Sequence, residues 1–279
     1  MAETLVPPPH SDELKVSFPD EHVLLLTLNR PKSLNAMTPR MTGDIKRVLD
    51  WFEEEPQLWV VIVTGAGRLF CAGADLKAWN NEQQAGATNE QENAASNLNG
   101  FGSISRRQSN KPIIAAVNGG AYGGGVEIIL NCDIVIASND ARFALPEVKR
   151  GVVAAQGGIP RLSQIAGHQL ASEILLTGRT ITAADASTRF GFVNTVVPAA
   201  QLLSTALGVA KEIVSNSPDA VQSTKHGLLL SQKLNHSEAL MTHLWSNFSK
   251  RVYKGENIKE GLKAFAERRA PVWRNPAKL

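Results

Sequence analysis

The sequence has little cysteine and no long apolar run. Its 279 residues include two cysteines, Cys71 and Cys132, which are far apart and lie in apolar surroundings. This usage disfavours a disulfide framework and is typical of a reducing compartment, so we expect both to be buried packing residues. No apolar run is long enough to span a bilayer, and the start, MAETLVPPPHSDELK, lacks the pattern of a signal or transit peptide. We expect a globular protein that is neither secreted nor sent to mitochondria.

The motifs of several enzyme classes are also missing. The segment NGGAYGGGVE (118–127) matches neither the dinucleotide fingerprint nor the P-loop, since Ala121 stands where a second glycine is needed and no Lys-Ser/Thr pair follows. No G-x-S-x-G segment offers a serine nucleophile. The histidines form no H-E-x-x-H, and no Cys/His set has zinc spacing. We therefore predict no metal and no phosphate cradle of either standard kind.

Basic residues are dispersed rather than concentrated. The net charge is +3, and the small clusters SRRQSNK, SKRVYK and AERRAPVWR are separated along the chain. We interpret these clusters as solvated helix faces, with an anionic ligand such as a nucleotide phosphate as the alternative. A nucleic-acid binder usually carries a single basic stripe, so we predict no nucleic-acid partner.

The first two hundred residues alternate between strands and helices. Four β-branched runs bounded by Gly, Pro or Asn predict buried strands: HVLLLTL, LWVVIVTG, KPIIAAVNG and CDIVIAS. Between the first two lies a predicted helix with Thr38 as N-cap and Pro39 at its first position. The pattern indicates an α/β core with a mostly parallel sheet. The Asn- and Gln-rich segment 80–100 is expected to be a mobile loop.

From about Gln201 the pattern contains helices and no strand. We predict an α/β catalytic core over 1–200 and a helical oligomerisation region over 201–279. The chain ends in Ala277, Lys278 and Leu279, which resembles the small–basic–Leu signal of peroxisomal import. We expect a peroxisomal protein bound by the import receptor, or otherwise a cytoplasmic one.

Two acidic residues are candidates for chemistry. Glu127 follows three glycines and lies among apolar residues at the start of a predicted helix, where it serves either catalysis or the helix macrodipole. Glu147 follows a proline after the strand CDIVIAS, and its alternative role is that of a surface acid in a turn. Two acids at one cleft can hold a water molecule between them and divide the acid and base roles.

Two glycine-rich turns follow predicted strands. TGAGRLFCAGADL comes after LWVVIV, and NGGAYGGGVE comes after KPIIAAV. Such turns expose backbone N–H groups, and two N–H groups aimed at one oxygen make an oxyanion hole. The sequence alone does not establish that they converge.

Five segments resemble the enoyl-CoA hydratase/isomerase (crotonase) family: NRPKSLNAM, FCAGADL, IAAVNGGAYGGGVEI, CDIVIAS…FALPEV and EGLKAFAERRAP. The likeness runs from about Val23 to Trp273 in the family's order and spacing, and it is greatest to the enoyl-CoA hydratases. It implies an α/β fold built as a spiral of ββα units with a C-terminal all-helical layer. It also implies homotrimers or homohexamers.

The resemblance assigns roles to individual residues. It implies that the N–H groups of Ala74 and Gly124 hold the thioester carbonyl, that Glu127 and Glu147 orient a water adding at C3, and that Glu147 delivers the proton to C2. It also implies that no separate cofactor is needed, because CoA is part of the substrate. Contacts to the substrate are implied for Lys32, Ser33, Leu34, Ala72, Asp75, Lys77 and Ala155, with Phe265 and Arg269 reaching from a neighbouring subunit.

The presence of both acids favours hydration of a trans-2-enoyl-CoA to a 3-hydroxyacyl-CoA, as in fatty-acid β-oxidation, because the family's isomerases generally keep only the second acid. The alternatives are an enoyl-CoA isomerase or another CoA-thioester enzyme and, in a different class, an RNA-binding relative. One departure concerns the acyl pocket. Where many short-chain hydratases have Pro-Gly-Ala, this chain has Ala154, Ala155 and Gln156, which leaves the chain length and branching of the substrate open.

Overall fold

A computed structural model describes residues 5–86 and 89–276. Ala277, Lys278 and Leu279, the predicted import signal, lie outside the described residues. The chain forms two sheets and twelve labelled helices in these segments. None of the helices found there is both long and apolar enough to cross a membrane.

The large sheet has six strands in the order β1-β2-β3-β5-β7-β10, and the small sheet has four in the order β4-β6-β8-β9. Neighbouring strands are parallel except in the pairs β1–β2 and β8–β9. The strands are β1 Leu14–Asp20, β2 Val23–Leu28, β3 Val60–Gly65, β4 Leu69–Cys71, β5 Ile113–Val117, β6 Gly120–Tyr122, β7 Ile134–Ser138, β8 Arg142–Ala144, β9 Ile181–Thr182 and β10 Thr195–Val197.

The strands are arranged as a spiral. In three successive turns, β3–β4, β5–β6 and β7–β8, the first strand joins the large sheet and the second joins the small one. This is the predicted crotonase-like α/β architecture, and β2, β3, β5 and β7 are the four strands predicted from their apolar runs. Because each turn adds a strand in parallel beside the previous one, the turns that follow β4, β6 and β8 lie at the same edge of the small sheet.

The helices are α1 Pro39–Glu54, α2 Leu76–Gln84, α3 Glu90–Ser96, α4 Gly124–Leu130, α5 Gly158–Ala166, α6 His168–Thr177, α7 Ala183–Thr188, α8 Leu202–Val214, α9 Pro218–Ser231, α10 His236–Leu244, α11 Asn247–Lys254 and α12 Glu256–Glu267. The N-terminus of α1 is as predicted, with the Thr38 side chain accepting the N–H of Met41. The prediction of a loop over 80–100 is wrong in part, since α2 extends into this segment and α3 lies within it.

Both faces of the large sheet are covered, which explains why most positions of its inner strands β2, β3, β5 and β7 are apolar. On one face, Val61 and Val63 belong to the main core with the apolar side of α1. On the other face, Val60 and Ile62 pack against Leu202, Ala206 and Ala210 of α8.

After β10 the described chain is helical, as predicted. Helices α10 and α11 follow each other closely and are separate, because Ser246 caps a new helix by accepting the N–H of Ser249. The division of the chain at residues 200 and 201 stays a prediction.

Candidate active site

The two glycine-rich turns lie side by side. Strands β4 and β6 pair with Cys71 opposite Ala121, and the chain then turns through Gly73 (φ 93°) and Gly123 (φ 53°). A Cβ atom on Gly73 would lie 2.8 Å from the carbonyl oxygen of Tyr122 and 3.6 Å from the nitrogen of Gly124. Glycine is therefore required at Gly73 both for its backbone conformation and for the close approach of the turns.

Two backbone N–H groups are available at these turns. Within the described residues, neither the N–H of Ala74 nor that of Gly124 donates a hydrogen bond. Gly124 is the first residue of α4, where an N–H has no acceptor within its own helix. Both residues line a cavity of about 1010 Å³. Two unpaired donors on neighbouring turns can bind an oxygen that gains negative charge.

Glu127 lies in the first turn of α4 and lines the same cavity. Its residue exposure is 3%, and its Oε1 accepts the N–H groups of Gln156 at 2.8 Å and Gly158 at 2.9 Å. The side chain thus faces the segment before α5 and does not cap its own helix, and the catalytic role of Glu127 stays a prediction. Because Oε1 is occupied by two backbone donors, Oε2 is the oxygen left for a bound molecule.

Glu147 approaches from the neighbouring turn of the spiral. It begins a short 3₁₀-helix, Glu147–Arg150, and it lines the cavity with its Oε2 buried and without a hydrogen-bond partner in the described chain. A Cβ atom on Gly123 would lie 3.0 Å from Glu147 Oε1. The second acid therefore lies against the turn that carries Gly124. Both acids and both N–H groups thus lie in the wall of the same cavity.

Burial raises the pKa of both carboxyl groups. For Glu127 it raises the pKa to about 7, although the N–H of Gly158 opposes this rise, and the nearby charge of Glu147 raises it further. The pKa of Glu147 is also raised, by burial. A carboxyl with a pKa of about 7 exchanges its proton near neutral pH, which suits Glu127 to acid–base chemistry.

The dependence of the rate on pH is the first testable consequence. If Glu127 must be ionised to act as a base, kcat/KM rises with pH as this carboxyl loses its proton, at about pH 7. We expect kcat/KM to be low in mild acid and to increase through neutral pH, measured by initial rates in buffers of constant ionic strength. A kcat/KM that stays level from about pH 5 to about pH 8 would contradict a base with this raised pKa.

The structure places the predicted residues in two groups. The cavity is lined by Ala72, Ala74, Gly124, Glu127, Glu147 and Ala155. The N–H of Ala155 donates to the carbonyl of Val153 at 2.9 Å, so this residue offers the cavity its methyl group rather than a free donor.

Four other predicted residues, Lys32, Ser33, Leu34 and Asp75, are not among the described residues that line the cavity. Lys32 and Ser33 lie on the 3₁₀-helix Pro31–Ser33, and the Leu34 carbonyl after it accepts the N–H of Ala72 at 3.0 Å. Asp75 forms an ion pair with Arg30 at 3.6 Å. Lys77 belongs to α2, and its side chain lies outside the described part of the structure.

Phe265 and Arg269 lie at the end of the chain. Phe265 is 87% exposed on α12, and Arg269 is paired with Glu260 and Glu267. Neither contributes to the cavity of this chain. Their contact with substrate bound by a neighbouring subunit stays a prediction.

The residues of the cavity wall that sequence reasoning missed include Phe101 and Arg106. Arg106 belongs to SRRQSNK, and the interpretation of this cluster as a solvated helix face is wrong, because Arg107 and Lys111 in it are buried and the segment is not helical. Lys111 uses its charge to bind the carbonyl oxygens that end α1. The available signal was position, since the cluster directly precedes the buried strand β5.

Comparison with known proteins gives a consistent result. The family model "Enoyl-CoA hydratase/isomerase" matches residues 19–276. The chain is 46% identical over 264 residues to the mevalonyl-coenzyme A hydratase sidH of Aspergillus fumigatus, covering 95% of each chain. It is 38% identical over 256 residues to the carnitinyl-CoA dehydratase of Proteus mirabilis, covering 90% of this chain and 95% of that one.

Solved structures similar to this chain are also described as enoyl-CoA hydratases or as probable members of the same family. A probable enoyl-CoA hydratase/isomerase from Mycobacterium abscessus superposes with a TM-score of 0.83 at 40% identity, over 94% of this chain and 98% of the other. The enoyl-CoA hydratase of Mycobacterium tuberculosis H37Rv gives a TM-score of 0.85 at 34% identity, over 95% and 99%.

Proposed function

The chain belongs to the enoyl-CoA hydratase/isomerase family and is a hydro-lyase acting on CoA thioesters, and we propose that it adds water across the 2,3 double bond of a trans-2-enoyl-CoA whose acyl group is short and branched at C3. The product is a 3-hydroxyacyl-CoA. The observation that carries this proposal is the pair of acids, Glu127 and Glu147, facing one cavity beside two unpaired N–H groups.

The proposed reaction begins at the thioester carbonyl. The N–H groups of Ala74 and Gly124 bind its oxygen and withdraw electron density from the conjugated system, which makes C3 electrophilic. As water adds to C3, negative charge moves to the carbonyl oxygen, and the same two donors stabilise the enolate. Removing one such donor typically costs about 100- to 1,000-fold in rate.

The two acids handle the protons. We assign the base role to Glu127, since two backbone N–H groups favour its ionised form. We assign the acid role to Glu147, whose buried Oε2 receives no hydrogen bond in the described chain and is therefore disfavoured as an anion. Ionised Glu127 takes a proton from the attacking water while protonated Glu147 gives one to C2.

Similarity to relatives supports a substrate class other than straight-chain thioesters. A mevalonyl group carries a methyl group and a hydroxyl at C3 and a second hydroxyl at C5, whereas a carnitinyl group carries a quaternary ammonium. Arg106 lines this cavity, and its positive charge would repel such a cation. We therefore propose an acyl group of the mevalonyl kind, and a role in fatty-acid β-oxidation stays the less favoured alternative.

The test is a panel of 2-enoyl-CoA thioesters with and without a methyl group at C3. Hydration removes the conjugated thioester absorbance, which is followed directly, and the 3-hydroxyacyl product is checked by mass. We expect the C3-methyl thioesters to be hydrated with the larger kcat/KM. Folded protein that leaves the absorbance of every thioester unchanged would contradict the proposed function.

We also propose that the protein is a homo-oligomer and that it is imported into peroxisomes. Exposed apolar side chains on and beside the C-terminal helices, among them Trp245 (73%), Leu262 (66%) and Phe265 (87%), support a homotrimer or homohexamer built through this region. Light scattering should give three or six times the chain mass of 30.1 kDa. The C-terminal Ala277, Lys278 and Leu279 support peroxisomal import, which an N-terminally tagged chain with and without these residues tests by microscopy.

A further inference from the structure

The guanidinium of Arg106 in the cavity wall is only partly satisfied. Its Nη2 donates to the carbonyl oxygens of Ala94 and Asn97, while its Nε is buried without a hydrogen-bond partner. No carboxylate of the described residues forms an ion pair with it. A positively charged donor is therefore fixed at the cavity by backbone contacts and has capacity left over.

The carboxamide of Gln156 is unsatisfied as well. Its backbone N–H binds Glu127 and its carbonyl accepts the hydroxyl of Ser105, so the main chain at this residue is fixed on both sides. The side-chain Oε1, however, is buried and has no hydrogen-bond partner in the described part of the chain. The side chain lines the cavity and offers an acceptor there.

The two residues are neighbours. Ser105, which binds the Gln156 carbonyl, directly precedes Arg106. A Cβ atom on Gly157, the residue after Gln156, would lie 3.3 Å from Cγ of Arg106. The charge of Arg106 also lies close enough to Glu127 to oppose the rise in its pKa. The residues that carry the unpaired donor and the unpaired acceptor thus lie next to each other in the cavity wall, near Glu127.

Leaving both groups unpaired in a buried wall costs free energy, and native proteins rarely do so without a bound molecule to complete the pairing. A hydroxyl group can accept from the guanidinium and donate to Oε1 at the same time. A carboxylate has no proton to donate to Oε1, and a methyl group pairs with neither. Of these three groups, only the hydroxyl is complementary to both the donor and the acceptor.

We propose that Arg106 and Gln156 are specificity-determining residues that bind a hydroxyl group on the acyl chain beyond C3 of the substrate. This inference rests on the proposed hydratase function and extends it to the distal part of the acyl group. In a thioester of the mevalonyl kind, the C5 hydroxyl is the group in question, two carbons beyond the reacting carbon.

The experiment compares three thioesters of equal branching: 5-hydroxy-3-methylpent-2-enoyl-CoA, its analogue without the hydroxyl, and the analogue with a carboxylate at C5. We expect the wild-type protein to favour the hydroxyl thioester over the other two by about 10- to 100-fold in kcat/KM, since a site built to hydrogen-bond a hydroxyl leaves buried groups unpaired without it. Equal values, or the highest value for the carboxylate, would overturn the proposal.

The variants are Gln156→Leu, which keeps the size of the side chain and removes the acceptor, and Arg106→Lys, which keeps the charge and removes the Nε donor. Each should reduce the preference for the hydroxyl thioester to within about threefold, chiefly by lowering kcat/KM for that thioester. Val153→Ala changes an apolar residue of the same wall and should affect all three thioesters alike. If Gln156→Leu lowers all three equally, its side chain only positions Glu127 and the proposal fails.

A binding measurement separates this inference from the proposed function. Calorimetry with the saturated, unreactive pair 5-hydroxy-3-methylpentanoyl-CoA and 3-methylpentanoyl-CoA reports recognition without turnover. A protein that hydrates no thioester but binds the hydroxylated ligand more tightly would contradict the proposed function and support the proposed hydroxyl-binding site. A protein that hydrates both enoyl thioesters equally well and binds both ligands equally would support the proposed function and contradict the hydroxyl-binding site.

Discussion

Glu127→Gln is expected to lower the kcat of hydration by about 100- to 10,000-fold, the usual range for a general acid or base. The glutamine oxygen can still accept the N–H groups of Gln156 and Gly158, which hold Oε1 at 2.8 and 2.9 Å in the native protein. The site therefore keeps its shape and loses the group that takes the proton from water. Initial rates with a C3-methyl 2-enoyl-CoA measure the loss, and thermal melting checks the fold.

A matched control is Glu212→Gln, because Glu212 is exposed on α8 and, within the described chain, only its backbone carbonyl accepts side-chain hydrogen bonds. This variant should retain full activity. Isomerisation of a 3-enoyl-CoA gives a second comparison, since moving one proton needs no activated water. If Glu127→Gln keeps most of its activity while Glu147→Gln loses it, the protein is an isomerase rather than a hydratase.

Gly124→Ala is expected to lower kcat by about 100- to 1,000-fold through loss of one oxyanion donor. A Cβ atom at this position would lie 2.4 Å from the ring of Phe101, a distance that real contacts do not reach. Either the ring or the start of α4 must move, and movement of α4 takes the Gly124 N–H away from the carbonyl oxygen. The loss should appear in kcat more than in KM, because the charge on that oxygen develops in the transition state.

Two further variants test the cause of that loss. Gly208→Ala introduces a methyl group on α8 where no atom lies within 4 Å, so it should leave the activity unchanged. Phe101→Ala removes the obstructing ring, so Gly124→Ala should lower the rate less in the Phe101→Ala background than in the native protein. If the loss is the same in both backgrounds, displacement by the ring is not the mechanism.

The fold was largely predictable because its signals are local. Buried parallel strands require apolar residues on both faces, and the four runs with this property are four strands of the large sheet. The segment 80–100 was misjudged because its Asn and Gln content suggests a loop, whereas α2 and α3 extend over much of it. The composition of this segment therefore did not predict the helices that it forms in the fold.

The site was predictable only where a residue's character conflicts with its surroundings. Glu127 stands out as an acid among apolar residues, and the glycines stand out by number, so both were found. Arg106 and Phe101 were missed because their importance comes from contacts between distant segments, such as Phe101 against Gly124. Sequence spacing carries no direct information about which turn of the spiral faces which side chain.

The burial of Glu127 also couples the folding of the chain to proton uptake. Its carboxyl has a pKa near 4.5 when hydrated and about 7 in the folded protein, so between these pH values the native state holds more protons than the unfolded one. Stability contributed by this group is fully present below pH 4.5 and is lost as the pH rises through about 7. The chain thus takes up a proton at Glu127 as it folds in this pH range, and mild acidity favours the folded protein through this group.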